Sequence, residues 1–599
     1  MLDFVKFVCS ELRHRRTVSV LAVLFAMNAI VSIASQPNVL IVLTDDQGWG
    51  DLGIHGNANL STPHLDSLAR QGASFKNFYV CQVCAPTRAE FLTGRYHPRT
   101  GVSGVSRGEE RLNADETTLA DVFKAAGYAT GAFGKWHNGT QAPLHPNDRG
   151  FEEYYGFTSG HWGHYFSPPL DHNGEVVRGE GFIVDDLTNH AIDFIQENKE
   201  RPFLCYVPLN TPHSPMMITD EFYEKFEHLK PAMRHRDPSR EDLQMTRAAL
   251  AMVENIDWNV GRLLKTLDRL SIEKNTIVIY FSDNGPNSFR WNGGMKGKKG
   301  SIDEGGLRSP LFVRWLDKIR PGVEVEKIAG AIDLLPTLME MAKVSQELPK
   351  PVDGRSVLPL LENPEAEWVP RELFSIRTGS VSVRSQKFRL DAEGKLFDIG
   401  LDRGQRKDVS VKHPEVTARL KGLAEQYRKD MQVEFAKNRV RPFTVGFGSS
   451  TMLPARDALE HGNVRRSVKS PNNSFFTNWK SKDDSITWDV DVVNEGDYEV
   501  IVRYTCAAGD EGVVVRLTRE SEGKAAQHTS AIVVEVFDPP LYDKSKERVE
   551  KSHYFVKDFQ TLSLGRLHLP KGDCKFRLTA DEILGAEAID VHSIQLIRK

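Results

Sequence analysis

Cys81-Gln82-Val83-Cys84-Ala85-Pro86-Thr87-Arg88-Ala89-Glu90-Phe91-Leu92-Thr93-Gly94-Arg95 is the most informative stretch of this 599-residue chain. Pro86 suits the first turn of a helix, where its missing N–H costs nothing, and Gly94 suits the position just past a helix end. The spacing therefore puts Cys84 at a helix N-terminus, where free N–H groups and the helix dipole favour an anion. A plainer reading takes Cys81-x-x-Cys84 as a redox pair or half of a zinc site. Zinc needs two more ligands at compatible spacing, and the chain has no second Cys-x-x-Cys. On spacing alone the redox pair stays open.

Around this stretch, residues 36 to 365 alternate strand and helix patterns, which predicts an α/β domain with a large, mostly parallel sheet flanked by helices. Val39 to Leu43, Phe203 to Val207 and Thr276 to Phe281 are continuous apolar runs, as doubly buried strands require. Leu119 to Ala126 reads as a helix closed by Gly127, with Tyr128 to Phe133 the next strand. Leu250, Val253, Ile256, Val260 and Leu263 mark a long amphipathic helix over 245–270. Residues 366–444 predict a small α+β subdomain, with short strands at 381–384 and 387–390 and a closing helix over 413–433. From residue 445 to 599 the alternation at 486–492, 498–504 and 513–517 predicts an appended all-β sandwich. Its ending resembles the carbohydrate-binding-module-like sandwiches of secreted hydrolases, with Trp479 and Trp488 as candidates for stacking on a sugar. A structural appendage, with Trp488 in its core, is the competing reading.

The long apolar strands end in polar residues, at the edge where open α/β sheets bind their ligands. One ends in Thr44-Asp45-Asp46-Gln47-Gly48, another in Ser282-Asp283-Asn284-Gly285. Carboxylates gathered there repel one another unless a hard cation lies between them, and oxygen ligands select Ca²⁺ or Mg²⁺. Either turn alone is ordinary solvated surface. Gly134-Lys135-Trp136-His137 and Asn210-Thr211-Pro212-His213 follow two further strands. A lone histidine is more often structural than functional.

Together these segments resemble the sulfatase family over roughly residues 36 to 440. The Cys84 stretch matches the family's Cys-x-Pro-Ser/Thr-Arg motif with Gly-Arg downstream, Thr87 standing where serine is commoner. The resemblance implies that a formylglycine-generating or other sulfatase-maturation enzyme oxidises Cys84 to formylglycine. It implies that Asp45, Asp46, Asp283 and Asn284, with residue 84, hold a divalent cation, Ca²⁺ or Mg²⁺. Arg88, Lys135, His137, His213 and Lys299 carry over as catalytic residues. Lys299 lies in Gly297-Lys298-Lys299-Gly300, and Asp303 replaces the aromatic often found in that loop. Lys296 and Lys298 are either surface charge or attractors of an anionic substrate. The implied activity is hydrolysis of a sulfate monoester, on a sulfated carbohydrate if the sandwich binds sugar. The histidine- and aromatic-rich stretch from 138 to 185, with His145, His161, Trp162, His164, Tyr165 and His172, is the expected pocket wall, able to bind a sugar ring, with a simply packed aromatic loop as the competing reading. A phosphatase relative using Thr87 and a non-catalytic glycan binder are the alternatives.

The net charge of −4 gives no general attraction to nucleic acid or anionic membranes. Arg13, Arg15 and Arg16 precede an apolar run from Val18 to Ile33 and a small-residue site near Ala34, so residues 1–35 read as a signal peptide. Ser19, Asn28 and Ser32 weaken that run as a lasting membrane span. The expected location is secreted or periplasmic. Of six cysteines, Cys205 falls in an apolar run and reads as a buried thiol, while pairing of Cys506 with Cys574 is left open.

Overall fold

The computed structural model describes residues 36–438, 441–468, 471–523, 525–550 and 556–599. The expected signal peptide, 1–35, lies outside the described residues. No helix among the described residues is long and apolar enough to cross a membrane.

The first layer is a ten-stranded sheet whose centre holds five parallel strands. They are β1 (Asn38–Thr44), β2 (Ala129–Lys135), β3 (Glu153–Phe157), β4 (Phe203–Pro208) and β5 (Thr276–Ser282), in the spatial order β5-β1-β4-β2-β3. Val39 is in register with Leu204 on one side and Ile277 on the other. Both faces are covered, so the strands are apolar throughout. Leu40 and Val42 pack with the helices Pro63–Gln71, Ile183–Glu197 and Leu243–Arg269. Val39, Ile41 and Leu43 point the other way, onto Phe91, Phe123 and Leu335. Successive side chains leave a strand on opposite faces, so one run of five apolar residues serves two cores. Cys205 is one of these buried residues.

The edges depart from the parallel expectation. Leu311–Arg314 runs antiparallel to β5, and the hairpin Pro169–His172 with Glu175–Arg178 extends the far edge antiparallel to β3. That hairpin turns on Asn173 and Gly174, both at positive φ, the combination a tight two-residue turn needs. The outermost pair beyond Leu311–Arg314, Val323–Val325 with Ala73–Phe75, is parallel, its two strands joined through a long stretch of intervening chain.

Residues 373–398 form a four-stranded sheet, and the helix Pro414–Lys437 closes on it through Leu420, Tyr427 and Met431. Beyond it, from Phe443, two six-stranded sheets pack around a common core. Trp479 and Trp488 are each only 1% exposed within that core. The sugar-stacking role is therefore corrected: their apolar area is spent on holding the two sheets together. Cys506 and Cys574 are free thiols, Cys506 buried and Cys574 half-buried.

Candidate active site

All five central strands run the same way, so their carboxyl ends share one edge, and the chemistry-bearing residues gather there. Cys84 is the first residue of the helix Cys84–Thr93, after an extended Val83. Gly94 closes that helix in the left-handed conformation, its N–H donating to the Glu90 carbonyl at 2.9 Å. The cysteine is 2% exposed, and burial pushes its thiol up to about 11, against the opposing pull of Lys135 and Lys299. A thiol so held stays protonated at neutral pH, which argues against a thiolate nucleophile.

The turn after β1 brings Asp45 and Asp46 beside it. Lys135, fully buried at the end of β2, donates to Asp45 Oδ2 at 2.6 Å. Lys299 Nζ lies 2.7 Å from Asp46 Oδ1, and Asn284 Nδ2 donates to the same oxygen at 2.8 Å. His213 Nε2 is 3.6 Å from Asp46 Oδ2. Burial alone would raise the Asp46 carboxyl, but Lys299 and then His213 override it and hold it well below the usual range. Lys299, in turn, is held well above the ordinary lysine value: burial lowers it, and Asp46 outweighs that. Asp46 has φ +68° and His137 φ +65°, left-handed conformations that cost non-glycine residues energy and cluster at functional sites.

Asp283 follows β5. Its Oδ2 accepts from Arg88 Nη2 at 2.9 Å and Nε at 3.3 Å, and its Oδ1 from the Asp46 N–H at 3.2 Å. Burial, then Asp45, pushes Asp283 up to about 7, the response expected of crowded carboxylates with too little positive charge between them. Arg88 gives its remaining group to the Lys135 carbonyl at 2.7 Å and is fully buried. Arg88 is among the residues that the family resemblance carries over as catalytic, and in the structure its guanidinium holds Asp283 and the end of β2.

One ligand atom from each of Asp45, Asp46, Cys84 and His213 lies within 4.8 Å of the others. Asp45 Oδ1 and Asn284 Oδ1 are buried without a hydrogen-bond partner among the described residues. Orphaned oxygen acceptors beside a crowded carboxylate set fit a hard divalent cation. Cys81 belongs to a different group, with Glu90 and His97, so the two cysteines do not chelate one ion together. Both are free thiols. Thr87 Oγ1 donates to the Asp283 carbonyl at 2.6 Å and accepts from the Cys81 N–H. With that hydroxyl fully engaged, the Thr87 phosphatase alternative loses its nucleophile.

His137 donates from Nε2 to the Val105 carbonyl at 2.8 Å, since a carbonyl only accepts. Its Nδ1 therefore keeps a lone pair, buried and with no partner among the described residues. His213 donates from Nδ1 to the Ser214 carbonyl, and burial lowers it to about 3. Lys296 pairs with Asp303 and Asp391, away from the Cys84 cluster, and Lys298 donates to the Asn287 carbonyl. Asp303 fastens its loop by polar contacts to Ser301, Gln405 and Lys296, which is how this chain does without an aromatic there.

Of the 138–185 stretch, His161 stacks on His213, with ring centroids 5.5 Å apart, and Tyr165 donates to the His213 carbonyl. His145 pairs with Asp171, His164 bonds the Asp543 carbonyl, and His172 lies edge-on to Tyr155. Two positioning residues escaped the sequence reading. Arg290 donates to Asp51 at 2.6 Å and to the Asp46 carbonyl at 3.1 Å. Asp51 also accepts from the Gly48 N–H at 2.7 Å, so this buried pair braces the Asp45–Gly48 turn. Asp51 lies three residues past the Thr44–Gly48 run, but nothing in the sequence pairs it with a residue 239 positions away.

A family model described as Sulfatase matches residues 37–344. The chain is 31% identical to N-acetylgalactosamine-6-sulfatase of Mus musculus over 394 residues, 60% of this chain and 72% of that one. It is 29% identical to steryl-sulfatase of Rattus norvegicus over 54% of this chain and 70% of the other. A solved structure of Ps i-CgsB in complex with k-i-k-neocarrahexaose is similar at TM-score 0.59 and 28% identity, over 68% of this chain and 98% of that one.

Proposed function

This chain belongs to the sulfatase family and is a sulfuric ester hydrolase, and we propose that it removes sulfate from a sulfated carbohydrate using a formylglycine made from Cys84 and a bound divalent cation. The observation that carries the reading is Cys84 at a helix N-terminus, buried among Lys135, Lys299 and His213 and beside the orphaned oxygens of Asp45 and Asn284. The carbohydrate substrate is supported by two similar proteins, one named for a sulfated amino sugar and one solved with neocarrahexaose.

Asp45, Asp46, Asp283 and Asn284 would hold the cation, Ca²⁺ or Mg²⁺, which supplies Lewis-acid neutralisation of the sulfate oxygens. Once oxidised and hydrated, residue 84 supplies an oxygen nucleophile with a second hydroxyl, through which sulfate can be shed by C–O cleavage. Lys135 and Lys299, whose ammonium groups flank the cluster, would neutralise the bound sulfate. Arg88 holds Asp283 in place and favours its ionised form against the burial that opposes it. His137 Nδ1, bare and unpartnered, would accept a proton from residue 84. His213, once protonated at Nε2, would give a proton to the leaving alcohol; a bound anion beside it favours that protonated form. The balanced reaction takes up one water and yields the alcohol, sulfate and a proton.

The arginine-led apolar segment within 1–35 supports export, with the mature protein secreted or periplasmic and matured by a formylglycine-generating or equivalent enzyme. Mass spectrometry of the tryptic peptide Asn77–Arg88 tests the central claim. Loss of the Cys84 sulfur with gain of a carbonyl oxygen is expected, and an unmodified thiol in protein that releases sulfate would overturn it.

A further inference from the structure

The appended sandwich does not stand clear of the site. Ser159 donates to the Asn472 carbonyl at 2.7 Å, and Gln141 to Asp457 at 3.1 Å. Around Gly160 the approach is closest: a Cβ there would fall 2.5 Å from His137 Nε2 and 2.4 Å from Asn472 Nδ2. A sandwich residue is thus a near neighbour of a candidate catalytic histidine. Asn472 also lines a cleft of about 890 Å³ between the α/β domain and the sandwich, towards the upper end of the size usual for small-molecule sites. Asn472 thus connects the cleft to the neighbourhood of His137 across Gly160.

Its sandwich wall is the outer face of one sheet. Tyr498, Val500, Val502 and Tyr504 point into the sandwich core, so alternation turns Arg503 outward, beside His592 on the neighbouring strand. Other cations of the cleft have acidic partners: Arg178 with Asp558, Lys557 with Asp590, Arg456 with Asp457. Arg503 has none among the described residues, and its Nε is buried without a hydrogen bond. Burial alone lowers it, with no carboxylate offsetting the effect. A half-buried guanidinium without a counter-charge is costly, and its forked donors match sulfate or carboxylate oxygens. Phe559 packs against His592 at 4.9 Å and edge-on to Phe475 at 5.4 Å, giving the wall apolar surface beside that charge.

We propose that this cleft holds the sugar residues flanking the sulfated one, with Arg503 binding an anionic substituent, a sulfate ester or a carboxylate, on one of them. The proposal rests on the sulfatase reading of the Cys84 site, and makes the sandwich part of the substrate cleft instead of a separate sugar-binding module.

The test uses the full-length Cys84→Ala protein, with calorimetric titration of matched sulfated oligosaccharides. Within each set the sugar beside the sulfated residue is neutral, sulfated or a uronate. The original arginine should bind at least one charged-neighbour member about 10- to 100-fold more tightly than its neutral counterpart, the range expected of a charged hydrogen bond. Adding Arg503→Gln should bring that ratio close to one, and Arg503→Lys should restore part of it. A preference for the sulfated or the uronate member identifies the anion. Absence of any charged-neighbour preference, including absence of binding, overturns the proposal, as does a ratio that Arg503→Gln leaves intact. Should the glutamine variant not fold, the ratio in the protein with Arg503 still decides. Release of sulfate from 4-nitrophenyl sulfate by the unmutated enzyme reads the Cys84 site alone, so failure of the sulfatase reading shows separately.

Discussion

Replacing Arg290 by methionine tests how the cation-binding turn is held. Arg290 and Asp51 are each about 1% exposed, with contacts at 2.6, 2.9 and 3.0 Å. The variant strands the Asp51 carboxylate inside the protein, and breaking a buried pair from one side costs about 3–5 kcal/mol. For a cooperative unit of about 400 residues the unfolding entropy is near 0.8 kcal/mol per kelvin, so the melting temperature should fall by about 5 °C. A second consequence is local. Arg290 also donates to the Asp46 carbonyl, and Asp51 accepts from Gly48, so the turn carrying Asp45 and Asp46 loses its brace. Loss of such an outer partner typically weakens a metal site about 10- to 100-fold. Scanning calorimetry and Ca²⁺ titration of Arg290→Met measure both effects, and Asp51→Leu combined with Arg290→Met should recover most of the melting temperature. The reasoning fails if Arg290→Met melts within about 1 °C of the parent, or if its Ca²⁺ affinity changes less than about twofold.

Cys84→Ala should abolish sulfate release while leaving circular dichroism and melting unchanged; retained turnover would rule out a formylglycine at this position. Chelation should remove activity, with recovery on adding Ca²⁺ or Mg²⁺, whereas recovery by Zn²⁺ alone would contradict the oxygen-rich site. Gly160→Ala drives a methyl onto His137 and Asn472 and should lower kcat at least tenfold, on the scale of one lost transition-state contact; unchanged kcat would show that the two can part freely. Burial raises Glu90 to about 8. A carboxyl raised in the folded state contributes stability that is complete below about pH 4.5 and is lost as pH climbs through 8. Between pH 5 and 8 the protein should therefore lose stability relative to Glu90→Gln, by up to about 1.4 kcal/mol per pH unit; parallel curves from denaturant melts would refute it.

Much of the site was legible because its parts are local. A helix from Cys84 to Gly94 follows from proline and glycine preferences, and apolar runs such as Val39–Leu43 announce buried strands. Polar residues just after those runs must then share one sheet edge. Less legible were features that depend on distant partners. Arg88 carries over as a catalytic residue with nothing in the sequence to set Asp283 against it, and Trp488 fits a sugar platform and a core position equally well by alternation. Asn472 lies in a plain Pro-Asn-Asn turn whose importance comes from the domain it meets.

From the sequence alone came the order of strands and helices and the helix start at Cys84, since each depends on preferences within about ten residues; the identities of the cluster residues came from the resemblance to the sulfatase family. Tertiary structure alone decided which charges are already paired, which oxygens are left without partners, and that the sandwich walls the cleft beside His137. Those outcomes depend on distances between residues hundreds of positions apart, and hydrogen bonding and charge pairing respond to distance in space whatever the separation along the chain.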